Sequence, residues 1–177
     1  MSPEPQPSPY NVGVRQRLLA AILTLGAVFW AAVIVVAPRA LAGDTPVLNQ
    51  VAASIYRSAS LICHQRAERS FHLGGVQQPV CARCAGLYLS GAVGALVAWS
   101  AARRPRATRQ KRVLLLLAAI PTALTVALEF VGLLHTSNML RALSALPLGA
   151  SAGWIFIQSL RAEAVAGEAR SRHGMLL

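Results

Sequence analysis

The chain has 177 residues, 55% of them hydrophobic and 13% charged, and its mean hydropathy is +0.50. Soluble domains run at roughly 45–50% apolar, so the composition points to one membrane-embedded domain rather than a soluble one. A net charge of +11 would suit a nucleic-acid partner, but the cations cluster at the ends of apolar segments, which argues against a basic recognition face.

In chain order, residues 1–14 carry four prolines within the first ten positions and predict a disordered tail. Residues 18–37 contain no charge, and about 20 apolar residues suffice to cross the hydrocarbon core. Arg15, Arg17 and Ala40-Leu41-Ala42 around this segment imitate a cleavable signal peptide. Its apolar core is longer than the usual stretch of about 7–15 residues, so an uncleaved first span is expected. Thr45-Pro46 reads as a helix start, Thr as the cap and Pro at the first helical position. Leu48, Val51, Ala52, Ile55, Ala59 and Ile62 then recur at helical spacing, opposite Asn49, Gln50, Ser54, Arg57 and Ser58. This predicts an amphipathic helix, at the membrane surface or leaning into the bundle, that delivers Cys63 and His64 at its end.

Residues 63–84 hold all three cysteines and two of the four histidines. Arg66 to Pro79 is polar, with Gly74-Gly75 and Gln77-Gln78-Pro79 as turn material, and predicts a loop or short hairpin. Further spans are expected at 85–102, 113–134 and 139–160. Rows of small residues, Ser90-Gly94-Ala98 and Ala145-Gly149-Gly153, would let two of them approach closely. Pro121 and Pro147 are expected to kink the third and fourth spans. Residues 161–177 form a polar tail. The fold class is thus an all-α integral membrane protein: four transmembrane helices, one amphipathic helix and an extracytoplasmic Cys/His loop over 38–84, all within a membrane domain at 15–160.

Sidedness follows from the cations. Arg15, Arg17, Arg103, Arg104, Arg106, Arg109, Lys111, Arg112, Arg161, Arg170 and Arg172 fall on one side of a four-span topology. Arg39, Arg57, Arg66, Arg69, Arg83 and Arg141 fall on the other. The positive-inside tendency puts the richer side, with both termini, in the cytoplasm. The cysteine segment then lies outside the cytoplasm, where disulfides are permitted. The expected location is the plasma membrane.

The chemistry concentrates at Cys63-His64-Gln65 and Cys81-Ala82-Arg83-Cys84. A Cys-x-x-Cys pair can give two thiolates to a tetrahedral zinc, with Cys63 and a histidine, His64 or His72, completing the set. The pair can instead cycle between dithiol and disulfide, or form a structural disulfide with one thiol left over. Neighbouring side chains diverge, so Cys63 and His64 do not easily reach one ion. Arg66, Arg69 and Arg83 bracket the thiols, and arginine forks hold carboxylates and phosphates. Thr122, Thr125 and Glu129 share a face of the third span, and Asn138 and Arg141 share a face of the fourth. Glu129, read as about 8 Å deep at 1.5 Å per residue, and Arg141 are opposite in sign and similar in depth, so they predict an intramembrane ion pair.

These residues carry a resemblance. Cys63-His64-Gln65, Glu68-Arg69-Ser70, Gly75, Pro79, Cys81-Ala82-Arg83-Cys84 and Gly86-x-Tyr88, with Thr136-Ser137-Asn138-x-x-Arg141 later, resemble the domain-of-unknown-function family numbered two thousand and eighty-five. Its members are small predicted membrane proteins of bacteria and archaea. The resemblance implies the membrane class and marks Gln65, Arg69, Ser70, Arg83, Tyr88, Asn138 and Arg141 as ligand-binding candidates beside the metal candidates Cys63, His64, Cys81 and Cys84; Glu129 joins the ligand-binding candidates through its pairing with Arg141. It implies no reaction. The chain departs from the family pattern by carrying Thr125 and Glu129 where an Asp and a Gln are expected. His72 stands outside the pattern, which favours His64. The leading expectation is an extracytoplasmic site for a metal ion, zinc, and for an anionic lipid or metabolite, with membrane lipids as partners and no nucleic acid. A metal there would activate water or polarise an ester oxygen. The alternatives are a membrane thiol–disulfide oxidoreductase using Cys81 and Cys84, and a structural subunit with a metal-stapled loop.

Overall fold

The computed structural model describes residues 9–101 and 107–174. Helix α1 runs over Pro9–Leu41 and α2 over Pro46–Ser60. A single 3-10 turn, Ala67–Arg69, leads into strands β1, Ser70–Leu73, and β2, Val76–Cys81. Helices α3, Ala82–Ser100, α4, Thr108–Phe130, and α5, Asn138–Gly174, complete the chain. Four of these are long and apolar enough to cross a membrane: Gly13–Leu41, Ala82–Ser100, Thr108–Phe130 and Asn138–Val165. With α2 as the fifth helix, the chain is an all-α membrane protein carrying one small hairpin.

The centre of the bundle is the contact between α3 and α5, and glycine makes it. A Cβ added at Gly86 would overlap the Ala142 carbonyl. One at Gly94 would overlap that of Ala150, one at Gly149 that of Leu87, and one at Gly153 that of Gly91. Without side chains at these points the two backbones touch, the contact that small residues permit in lipid. Helix α1 covers one side of this pair through Ala20, Ala31 and Ile34, all buried. Helix α4 packs mainly on α5. Thr122 donates to the Ser144 carbonyl at 2.7 Å, and Thr125 donates to Ser144 Oγ at 3.2 Å. Leucines such as Leu116, Leu117 and Leu124 on α4 stay exposed, as expected of a lipid-facing surface.

Several expected boundaries move. The disordered tail lies outside the described residues over 1–8, but 9–14 are helical, and α5 continues to Gly174 through most of the expected tail. The second span begins at Ala82, so Arg83 and Cys84 belong to its first turn. The third ends at Phe130 although Val131, Leu133 and Leu134 extend the apolar run. Gly132 takes φ +72, its N–H bonds the Glu129 carbonyl at 3.2 Å, and Leu133 N–H bonds the Leu128 carbonyl at 3.0 Å. That pair of bonds is a Schellman stop. Glu129 therefore sits one residue from the helix end, not five residues deep. Pro121 and Pro147 lie inside α4 and α5, which continue past them. Arg103, Arg104 and Arg106 lie outside the described residues. Arg161 is not a free flanking cation: it is buried, bonds the Ala98 carbonyl and lies 4.6 Å over the Trp99 ring.

Candidate metal and anion site

Helix α2 starts where its sequence suggests, with Thr45 extended at the cap position and Pro46 following, but the Thr45 hydroxyl makes no cap hydrogen bond. It buries Ala52 and Ala59, while Val47, Leu48 and Val51, and Ile62 just beyond its end, remain exposed. It ends at Ser60, and a short turn brings Cys63 inward, its N–H bonded to the Ala59 carbonyl at 2.9 Å. Gln65 then takes φ +47, a left-handed conformation rare for side chains with a Cβ. Its amide fixes the turn by donating to the Tyr56 carbonyl at 2.7 Å and the Pro79 carbonyl at 2.8 Å. Gln77 reaches back to the Gln65 carbonyl at 2.6 Å, and the Tyr56 hydroxyl bonds the Gln77 carbonyl.

The hairpin turns at Gly74 and Gly75, both at positive φ. Ser70 pairs with Cys81 but His72 with Gln77, so β2 bulges between those pairs and buries Gln78, Pro79 and Val80. The bulge aims Cys81 at Cys63: the Cys81 N–H lies 3.2 Å from Cys63 Sγ. Cys81 is also the N-cap residue of α3, and Cys84 follows one turn on. The sulfurs of Cys63, Cys81 and Cys84 lie within 4.8 Å of one another, and all three are free thiols. The Cys84 thiol donates to Cys81, which pulls the Cys81 thiol down to about 5.

The thiols form one wall of a cavity of about 370 Å³, with His64, Arg66, Arg69, Arg83 and Arg141 on the others. Glu129 and Arg141 meet at 2.9 Å, and the second Glu129 oxygen takes Arg83 at 3.4 Å. The glutamate thus joins two cations at the cavity floor. Arg141 also donates to Asn138 Oδ1 at 2.9 Å, and Asn138 donates to the Ser70 carbonyl at 2.9 Å. That chain of bonds fastens α5 to the hairpin. Arg83 Nε is buried and meets no acceptor among the described residues.

The site candidates separate into groups. Cys63, Cys81 and Cys84 converge. His64 lines the same cavity but its ring does not join the sulfurs, and His72 is exposed on β1. Arg69, Arg83 and Arg141 face the cavity. Gln65, Ser70 and Asn138, expected as ligand contacts, spend their polar atoms on the scaffold. Ser70 is wholly buried and donates to the Arg66 carbonyl at 2.8 Å. Tyr88 packs with Trp30 behind the thiols, ring centroids 6.2 Å apart. The Arg83–Glu129 contact was missed because the sign and depth argument considered only the later spans. Gln77 was missed because a turn-like Gln-Gln-Pro hides a strand.

A model of the family described as predicted membrane protein (DUF2085) matches residues 63–155. An uncharacterized protein of Methanocaldococcus jannaschii is 34% identical over 87 residues, 49% of this chain and 56% of its own length. One from Methanothermobacter thermautotrophicus is 35% identical over 88 residues, 50% of this chain and 78% of its own. The match thus spans little more than half the length of the first curated relative. No solved structure gives a significant match.

Proposed function

The chain belongs to DUF2085, a family of predicted membrane proteins, and from that premise we propose that it holds a zinc ion on Cys63, Cys81 and Cys84 and presents the ion's fourth position to an oxyanion in the arginine-lined cavity. The observation that carries this reading is the convergence of three sulfurs within 4.8 Å. Around a tetrahedral zinc, with bonds of about 2.3 Å, sulfurs stand about 3.8 Å apart, so side-chain rotation alone closes the set. Thiolates select zinc, copper(I) or iron–sulfur centres over hard cations. Three protein ligands with an open fourth position is the arrangement of a zinc site that takes an exogenous ligand. The ligand is an anion because the open side is walled by Arg66, Arg69 and Arg83, and guanidinium forks hold carboxylates and phosphates. The excess of cations on the opposite ends of the spans supports an extracytoplasmic position for the site.

Elemental analysis of the purified protein, with thiol counting on a non-reducing gel, tests the proposal. It expects one zinc per chain and no disulfide. A metal-free protein with a reducible Cys81–Cys84 bond would overturn it in favour of a thiol–disulfide oxidoreductase. That second reading is favoured by the position of Cys81 at the N-terminus of α3, where thiolates are stabilised. A Cys63→Ser variant that folds and keeps full anion binding would reduce the metal to a staple. Labelling intact cells with a membrane-impermeant maleimide after zinc chelation tests sidedness, and protection of all three thiols would refute the outward placement.

A further inference from the structure

A second cavity, about 320 Å³ and almost wholly apolar, runs between α1, α3 and α5. That volume falls within the range of about 300–1,000 Å³ typical of ligand sites. Leu23, Ala27, Trp30, Tyr88, Gly91 and Phe156 line it. On α3 its residues Tyr88, Gly91 and Ala95 continue, at steps of four and three, the stripe that begins at Cys84. The groove therefore lies on the same face of α3 as Cys84 and, from Leu87 to Ala95, extends about 12 Å along the helix at 1.5 Å per residue. Gly91, Gly149 and Gly153 lie along its floor, where α3 and α5 meet backbone to backbone. Trp30 and Tyr88 stand between the two sites: they line the groove and pack against the cluster that contains Cys63 and on which Cys84 also packs. Its walls belong to helices that span the membrane, so its occupant is a hydrocarbon. The charge at its upper end selects the rest of the molecule.

We propose that this groove holds one hydrocarbon chain of a membrane lipid whose phosphate headgroup is the anion in the arginine cavity. The inference rests on the anion-binding reading above and adds the source of the anion. A lipid in this position lies along α3, its chain against Gly91 and its phosphate at Arg69 and Arg83.

The test uses the full chain in phosphatidylcholine vesicles containing a minor fraction of phosphatidic acid. The protein is extracted in mild detergent, then examined by native mass spectrometry, with zinc measured on the same sample. The expected result is one phosphatidic acid per chain, enriched about tenfold or more over phosphatidylcholine, a difference of about 1.4 kcal/mol. Ala27→Phe and Ala152→Phe, which fill the groove from different helices, should each abolish the enrichment at unchanged zinc content. Arg69→Gln should lower it. Glycerol 3-phosphate, which has the headgroup and no chain, should displace the lipid only in large excess. Equal retention of the two lipids, enrichment that survives both groove variants, or displacement at equimolar glycerol 3-phosphate would each overturn the inference. Zinc without enriched lipid sinks this inference alone, while enriched lipid without zinc sinks the metal reading and leaves the lipid site standing.

Discussion

Replacing Glu129 with Gln tests the ionic floor of the cavity. The carboxylate accepts from Arg141 at 2.9 Å and from Arg83 at 3.4 Å, and the three side chains are 11%, 13% and 21% exposed. Gln keeps the shape and one acceptor but removes the charge. A hydrogen bond to a charged group contributes about 1.5–3 kcal/mol and a neutral one about 0.5–1.5. Converting both contacts therefore costs about 2–3 kcal/mol, the Arg83 contact supplying the smaller share because it is longer. For a chain of this size each kcal/mol moves the midpoint by about 2–4 °C, so Tm should fall by about 4–12 °C. The assay is thermal unfolding in detergent by tryptophan fluorescence, run as a cycle with Arg141→Gln. In that background the second substitution should cost less, since one of its partners is already gone. A fall below about 2 °C, or strict additivity in the cycle, would refute the view that Glu129 holds the two arginines together.

Three further outcomes follow from other parts of the structure. Gly149→Ala pushes a methyl into the Leu87 carbonyl and Ser90 Oγ, whereas nothing lies within 4 Å of a Cβ at Gly26. The first should cost about 1–3 kcal/mol and the second should be neutral or gain up to about 1 kcal/mol, read by the same thermal assay. Gln65→Ala strands the Tyr56 and Pro79 carbonyls and should speed zinc loss to a chelator while all three thiols remain countable. Unchanged release would count against Gln65 as the brace of the cradle. In chelated protein the Cys81 thiol, lowered from 9.0 to about 5, should alkylate with a midpoint near pH 5. Because the folded value lies below the unfolded one, its ionisation stabilises the metal-free fold fully above about pH 9, and that contribution fades as pH falls towards 5. Trypsin cuts after Arg83 and so separates Cys81 from Cys84 for mass spectrometry; a midpoint near pH 8.5 would contradict the Cys84-to-Cys81 hydrogen bond.

The four spans were legible because lipid-facing helices need only length and apolarity, and the α3–α5 contact because glycine and serine recur every four residues. The Glu129–Arg141 pair was legible from opposite signs at similar distances from one loop. The end of α4 was not, since hydropathy continues through Leu134 while a single backbone rotation at Gly132 stops the helix. The hairpin was only half legible: Val76–Cys81 lacks alternation and contains Pro79, and its bulge has no local signature. Gln65, Ser70 and Asn138 show the sharper limit. A polar side chain in a loop looks the same in sequence whether it waits for a guest or satisfies a backbone carbonyl, and here all three satisfy carbonyls or brace an arginine. Convergence of the three sulfurs was legible from spacing, whereas the failure of His64 to join them depends on side-chain direction at one turn.

The partner of α3 in the bundle is α5, and α4 lies between them in the chain yet outside their contact. A ribosome therefore delivers α3 to the bilayer before the surface its glycines need has been made. Synthesis must add a further span and then a fourth before Gly86, Gly94, Gly149 and Gly153 can meet, and Arg141 arrives with that last helix. Closure of the α3–α5 contact is consequently late, after α1, α2, the hairpin and α3 have been made and can pack together. Site-specific crosslinking from Gly94 in stalled chains should give an α3–α5 product only once α5 has emerged, and a persistent α3–α4 product in the full chain would rule this order out.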